Sequence, residues 1–240
     1  DFEAEAGRLV AADLDAFQET GQVRWQEVAA ESDHTLLHAR AAGGGFILVY
    51  LADAQPQITW IDLDGASARS VDVAGGAVIG LNAKRGDPEA FIGLSSVTTP
   101  TRSYLIEAGS AIVTSLAGLV QPGADAVEVP ETVMERRMAI SKDGTSVPYF
   151  LIAPADADRS RPQPTMLYGY GGFKIPVLAD YRPGWPCWLA AGGLLAIANL
   201  RGGGEFGTVW YEAGRLARKQ NVFDDYAAVA EHLKQTRVTT

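Results

Sequence analysis

The sequence has a single cysteine, Cys187, in 240 residues. One thiol excludes an internal disulfide and a cysteine-built zinc site. Close to Trp185 and Trp188, it is expected to be a small buried apolar residue. Histidine is scarce as well, and His34, His38 and His232 make no metal signature. His34 and His38 are four apart, but their neighbours read as a strand, where the two side chains do not converge as they would on a helix. There is no run of about 18 apolar residues, so no membrane-spanning helix is expected. Cations are outnumbered, with 20 Lys and Arg against 29 Asp and Glu and a net charge of -9. That balance disfavours a nucleic-acid partner, because phosphate binding needs clustered cations. The opening residues Asp1 to Glu5 lack the basic start and apolar stretch of a secretory leader. They read as the middle of a domain, so the true start is expected upstream. No compartment follows from the sequence.

What is present is ample core material: 47% of the residues are hydrophobic and only 20% are charged, which argues against disorder. The first half is β-patterned and repeats. Gln57–Gly65 is a short strand running into a turn, and Arg102–Gly109 is a similar segment. Trp60 and Tyr104 are 44 residues apart, as are Gly65 and Gly109, and Phe46 and Phe91 are 45 apart. An earlier copy of the strand-turn unit is read at Leu9–Asp15, with Leu14 in the place of Leu63. A period of about 40–50 residues with four short strands per unit is the propeller signature. Two blades fit, with strands near 35–41, 45–52, 57–63 and 68–73, then near 77–83, 90–95, 102–107 and 111–116. Residues 8–28 supply the outer two strands of a preceding blade. An irregular β-sandwich is the alternative. Two and a half blades cannot close a ring, so further blades are expected outside this chain.

The pattern changes after Gly118–Gly123. Val133–Ile140 and Val147–Ala153 are strands joined by a tight hairpin with Asp143-Gly144 at its tip. Thr165–Tyr168 is an apolar strand feeding Gly169-Tyr170-Gly171-Gly172-Phe173. A helix is expected near Trp185–Ala191. The continuous apolar run Leu194–Leu200 suits a buried parallel strand. Asn221–Lys234 carries apolar residues at 222, 226, 229, 230 and 233, a helical stripe. Hairpin, strand, helix, strand, helix is how an α/β-hydrolase sheet begins. The fold expected is thus a partial β-propeller of about two and a half blades over 1–127, followed by the N-terminal part of an α/β-hydrolase domain over 128–240.

Acyl transfer on such a sheet needs a nucleophile, a base and an oxyanion hole. The nucleophile elbow is Gly-x-Ser-x-Gly. No serine in the chain has glycine at both positions two residues away. The oxyanion region is different. Tyr168–Phe173 occupies the loop after the third strand, which supplies part of the hole in this fold. Its glycines allow close backbone approach, and a tyrosine hydroxyl can donate to a developing oxyanion. On spacing alone, a plain glycine-rich turn with packed aromatics fits better than an oxyanion loop.

Three stretches together resemble the prolyl oligopeptidase family: Tyr168–Phe173, Asn199–Gly207 and Lys219–Asp225. The resemblance is strongest over about 131–240 and weaker over the propeller. It implies that Tyr170 is the side-chain donor of the oxyanion hole and that Phe173 helps line the pocket for the substrate proline. It places the catalytic serine in a Gly-Gly-Ser-Asn-Gly-Gly elbow after the last helix, with the aspartate and histidine later still, all beyond Thr240. Asp224, Asp225 and His232 are therefore not read as a triad. The aspartates are expected at a helix start and His232 on a helix surface. Arg201 and Glu205 are expected as salt-bridge scaffolding.

The activity implied is that of a serine endopeptidase cutting short peptides after proline. Its propeller would exclude folded proteins, it would use no cofactor, and it would work as a monomer without nucleic acid or membrane. The rivals are an oligopeptidase B-like or acylaminoacyl peptidase of the same superfamily, and a non-catalytic propeller-containing binding protein.

Overall fold

A computed structural model of the chain describes residues 4–73, 76–117 and 129–240. The change of pattern at Gly118–Gly123 and the expected boundary at 127/128 lie outside the described residues. β1 (Leu9–Ala12) pairs antiparallel with β2 (Trp25–Ala29). β3 (Thr35–Ala42), β4 (Gly45–Ala52), β5 (Gln55–Asp62) and β6 (Ala68–Ser70) form a four-stranded sheet in chain order. β7 (Ala77–Ala83), β8 (Glu89–Ser95), β9 (Arg102–Glu107) and β10 (Ile112–Ser115) form another. These are the two expected blades, with Phe46 and Phe91 on β4 and β8, and Trp60 and Tyr104 on β5 and β9.

Alternation places each blade between its neighbours. Along β4, Ile47 and Val49 share a core cluster with Val78 and Ile92 of the next sheet. The intervening Leu48 turns the other way, onto Ile61 and Val28. The β3–β4 hairpin turns on Gly43 and Gly44, with φ of 56° and 72°, the two left-handed residues of a type I′ turn. Among the described residues the sheets do not close a ring, and the architecture is a partial propeller of about two and a half blades.

One local expectation is corrected. Leu14 does not occupy a strand-turn position like that of Leu63; it begins a helix, α1 (Leu14–Thr20). The Asp13 side chain caps that helix by accepting from the backbone N–H of Asp15 and Ala16, and Gly21 closes it at φ 69°.

The second half is a mixed sheet of β11 (Thr132–Ile140), β12 (Ser146–Pro154), β13 (Thr165–Gly169) and β14 (Leu194–Ala198). Its order is β11-β12-β14-β13, antiparallel except for the β13–β14 pair. The helices are α2 (Gly184–Ala190), α3 (Gly207–Glu212) and α4 (Gln220–Gln235), of which α3 was not expected. β12 is buried on both faces. Tyr149 and Leu151 meet Val222, Val229 and Leu233 of α4, while Phe150 and Ile152 meet Trp185 and Leu189 of α2. The propeller docks on the α2 side. Ala54 and Val97 join that core cluster, and Asp53 pairs with Arg136 of β11 at 2.8 Å.

Cys187 is exposed, contrary to expectation. Trp185, Pro186 and Leu189 are the buried positions of α2, and Cys187 faces away from them. No helix of the described residues is long and apolar enough to cross a membrane.

Candidate active site

β13 and β14 run parallel, so both open onto the same edge of the sheet, and a glycine-rich loop follows each. The two loops touch. A Cβ on Gly171, at φ 61°, would lie 2.8 Å from Arg201 O and 2.5 Å from Val222 Cγ1. A Cβ on Gly202, at φ 88°, would lie 2.7 Å from Gly171 O. Only glycine permits this crossing. Lys174 N–H donates to Gly202 O at 3.1 Å, and Lys219 Nζ donates to Gly171 O at 2.6 Å. The chain then passes through Phe173 and Lys174 with φ of 55° and 57°, two consecutive non-glycine residues in the left-handed region. Strain of this kind persists only where surrounding contacts over-determine the backbone, and it gathers at ligand-contacting sites.

The loop presents its aromatics outward. Tyr170 is 44% exposed and Phe173 is 81% exposed. Among the described residues the Tyr170 hydroxyl has no hydrogen-bond partner. Tyr170 lines a cavity of about 330 Å³ between the modules, walled by Leu37, His38 and Val78 of the propeller and by Val177 and Leu178 after the glycine-rich loop. Burial, with help from Arg40, holds His38 below the usual histidine range. Arg182 lies over the Tyr168 ring at 3.9 Å and stiffens the cavity floor.

Behind the crossing lies a buried ionic network. Arg201 donates to Asp225 through Nε and Nη2, to Asp143 at the hairpin tip and to Ser141 Oγ. Asp225, fully buried, also accepts from Ser141 Oγ and from Arg201 N–H. The Arg201 guanidinium holds the Asp143 carboxyl well below the usual carboxylate range. The network ties the hairpin, the second loop and α4 into one support.

Several sequence expectations are corrected here. Arg201 is scaffolding, but its partners are Asp225 and Asp143, and among the described residues Glu205 pairs with no cation. Asp225 lies in the second turn of α4, facing inward, so it does not start the helix. His232 is half-buried, and its Nδ1 lies 2.9 Å from the Tyr149 hydroxyl. Arg201, Asp225 and His232 therefore serve packing. Sequence reasoning missed Lys219 as the clamp on Gly171, although it opens the quoted Lys219–Asp225 stretch. For Arg182 no local signal existed.

Residues 1–115 match the model of the prolyl oligopeptidase N-terminal β-propeller domain, and residues 183–240 match that of the prolyl oligopeptidase family. The chain belongs to the prolyl oligopeptidase family. Within that family it is 28% identical over 217 residues to a prolyl endopeptidase of Elizabethkingia meningoseptica, covering 90% of this chain and 30% of that protein. It is 33% identical over 216 residues to the prolyl oligopeptidase dbiP of Dendrothele bispora, covering 86% and 28%. A structure solved in a study of two prolyl endopeptidases superposes with a TM-score of 0.86 at 34% identity, over 99% of this chain and 34% of its own. The chain thus spans about 30% of the length of the curated relatives it matches.

Proposed function

We propose that the protein carrying this chain is a serine endopeptidase that hydrolyses short peptides on the carboxyl side of proline. Family membership supports the reaction class, and the prolyl endopeptidases among the relatives support the preference for proline. The observation that carries the reading is the unpartnered Tyr170 hydroxyl, held on an over-determined glycine-rich loop at the mouth of an inter-module cavity. A preorganised O–H in that position can donate to the oxyanion that forms as a serine attacks the scissile carbonyl. Phe173 follows in the same loop, exposed and outside the lining of the cavity, and its ring offers the flat apolar surface that a proline ring needs. The propeller caps the site and keeps folded proteins out, which restricts the substrates to short chains. No cofactor, nucleic acid or membrane takes part, and the protein works as a monomer. The modules divide at 127/128. The nucleophile, its histidine and its aspartate are supplied by sequence other than these 240 residues, in which no Gly-x-Ser-x-Gly occurs.

The test is cleavage of a peptide with one internal proline, with fragments weighed by mass spectrometry. The full-length protein is expected to cut after that proline, and the 240-residue chain alone to leave the peptide intact. Cutting elsewhere by the full-length protein, or turnover by the chain alone that survives repurification, would overturn the reading.

A further inference from the structure

Glu205 has no role in the mechanism above, yet it is 1% exposed and meets three parts of the molecule. Its Oε1 accepts from Val177 N–H at 2.7 Å and from Asn199 Nδ2 at 3.3 Å. Its main-chain carbonyl accepts from Thr35 Oγ1, at the start of propeller strand β3, at 3.1 Å. Three residues on, Thr208 N–H donates to Glu5 O of the propeller's leading segment. One residue thus joins the cavity wall at Val177, the end of β14 at Asn199 and the propeller at Thr35.

Its other oxygen is the anomaly. Oε2 is buried with no partner among the described residues, and so is the nearby acceptor Asn199 Oδ1. Two buried acceptors without a donor are costly, and a carboxylate in that state costs more. A proton on the carboxyl turns one acceptor into a donor. We propose that Glu205 is the positioning residue that registers the propeller against the wall of the Tyr170 cavity, and that it does so only while its carboxyl is protonated. The proposal rests on the reading of that cavity as the active site.

The charges on the surrounding elements are committed elsewhere or distant. Lys174 Nζ donates to Thr208 Oγ1, and the Arg201 guanidinium is spent on Asp143 and Asp225. Asp180 pairs with Arg182. Glu5, His34, His38 and Arg40 lie on the propeller side. None of them governs the carboxyl. Burial pushes it up to about 7, against hydrogen bonds from Val177 N–H, its own N–H and the Asn199 amide. Ionisation near neutral pH then puts an uncompensated charge in the seam, which is relieved by admitting water between the modules.

The experiment compares pH profiles of kcat/KM on an amide substrate for the full-length wild type, Glu205→Gln and Tyr170→Phe. If only the protonated form is competent, the ratio of Glu205→Gln to wild type rises about tenfold between pH 6 and 8. A purely structural glutamate would give a ratio independent of pH, and that result overturns the proposal. If Glu205→Gln does not fold, Thr35→Val carries the test. Removing the hydroxyl leaves the carboxyl in place but lets water reach it sooner, so the alkaline fall moves to lower pH. An unmoved midpoint overturns the proposal equally. Tyr170→Phe keeps the two readings apart. Wild-type kcat in that variant sinks the site assignment, whereas the Glu205 proposal is read from the pH dependence.

Discussion

Asp225 illustrates how a residue's neighbours in sequence can conceal its role. It stands in a stripe-patterned helix beside Asp224, and both looked like acidic residues at a helix start. The helix begins five residues earlier, at Gln220, which turns Asp225 inward beneath the second glycine-rich loop. There it balances Arg201, itself 4% exposed. That partner was not legible, because the pairing joins positions 24 apart that meet only once the sheet is built. Asp225→Asn keeps the shape but removes the charge that balances a buried guanidinium. Unfolding of the full-length protein in urea is expected to register a loss of about 3 kcal/mol or more. A change under about 0.5 kcal/mol would mean that Asp143 alone satisfies Arg201. The roles of Tyr170 and Phe173 were suggested by resemblance. The strained backbone that holds Phe173 at φ 55° had no sequence signal, since nothing in Gly-Gly-Phe-Lys demands left-handed aromatic and lysine residues.

At the scale of elements, the blades were the most legible part. Strands of alternating apolar residues, separated by turns at a near-constant spacing, gave eight strands within two or three residues of their observed limits. The hairpin, β13, α2 and α4 were legible for similar reasons. Helix α1 was not, because Leu9–Asp15 reads as a strand entering a turn, although Asp13 and Gly21 were available as cap signals. Helix α3 follows a glycine run and has no long apolar stripe. The loop crossing was invisible too, because contact between two backbones leaves no trace beyond the glycines themselves. It can be tested by Gly171→Ala. The added methyl meets Val222 and Arg201 O at a left-handed position. The variant should lose on the order of 1–3 kcal/mol of stability, and its kcat should fall because the Tyr170 loop is displaced. Unchanged melting and kcat would show that the loops have room to separate.

At the scale of the whole molecule, the two modules are joined by a seam that runs beside the candidate site. The blade-one tip at Ala54 sits in the α2-side core, Tyr181 N–H donates to Ser95 Oγ, and Thr35 reaches Glu205 O. Raising the Glu205 carboxyl from 4.5 to about 7 has a fixed sign. Its contribution to stability is full below about 4.5 and is lost as pH rises through about 7, at about 1.4 kcal/mol per pH unit between those limits. On the proposed reading, the loop crossing and the ionic support behind it hold the Tyr170 hydroxyl where charge develops. The most direct test is therefore kcat of the full-length Tyr170→Phe variant on an amide substrate, whose leaving group demands the full help of the oxyanion hole. The account predicts a fall on the order of 10²–10³ in kcat with little change in KM, because an oxyanion donor acts mainly in the transition state. Wild-type kcat in that variant would contradict it and make Tyr170 a packing residue.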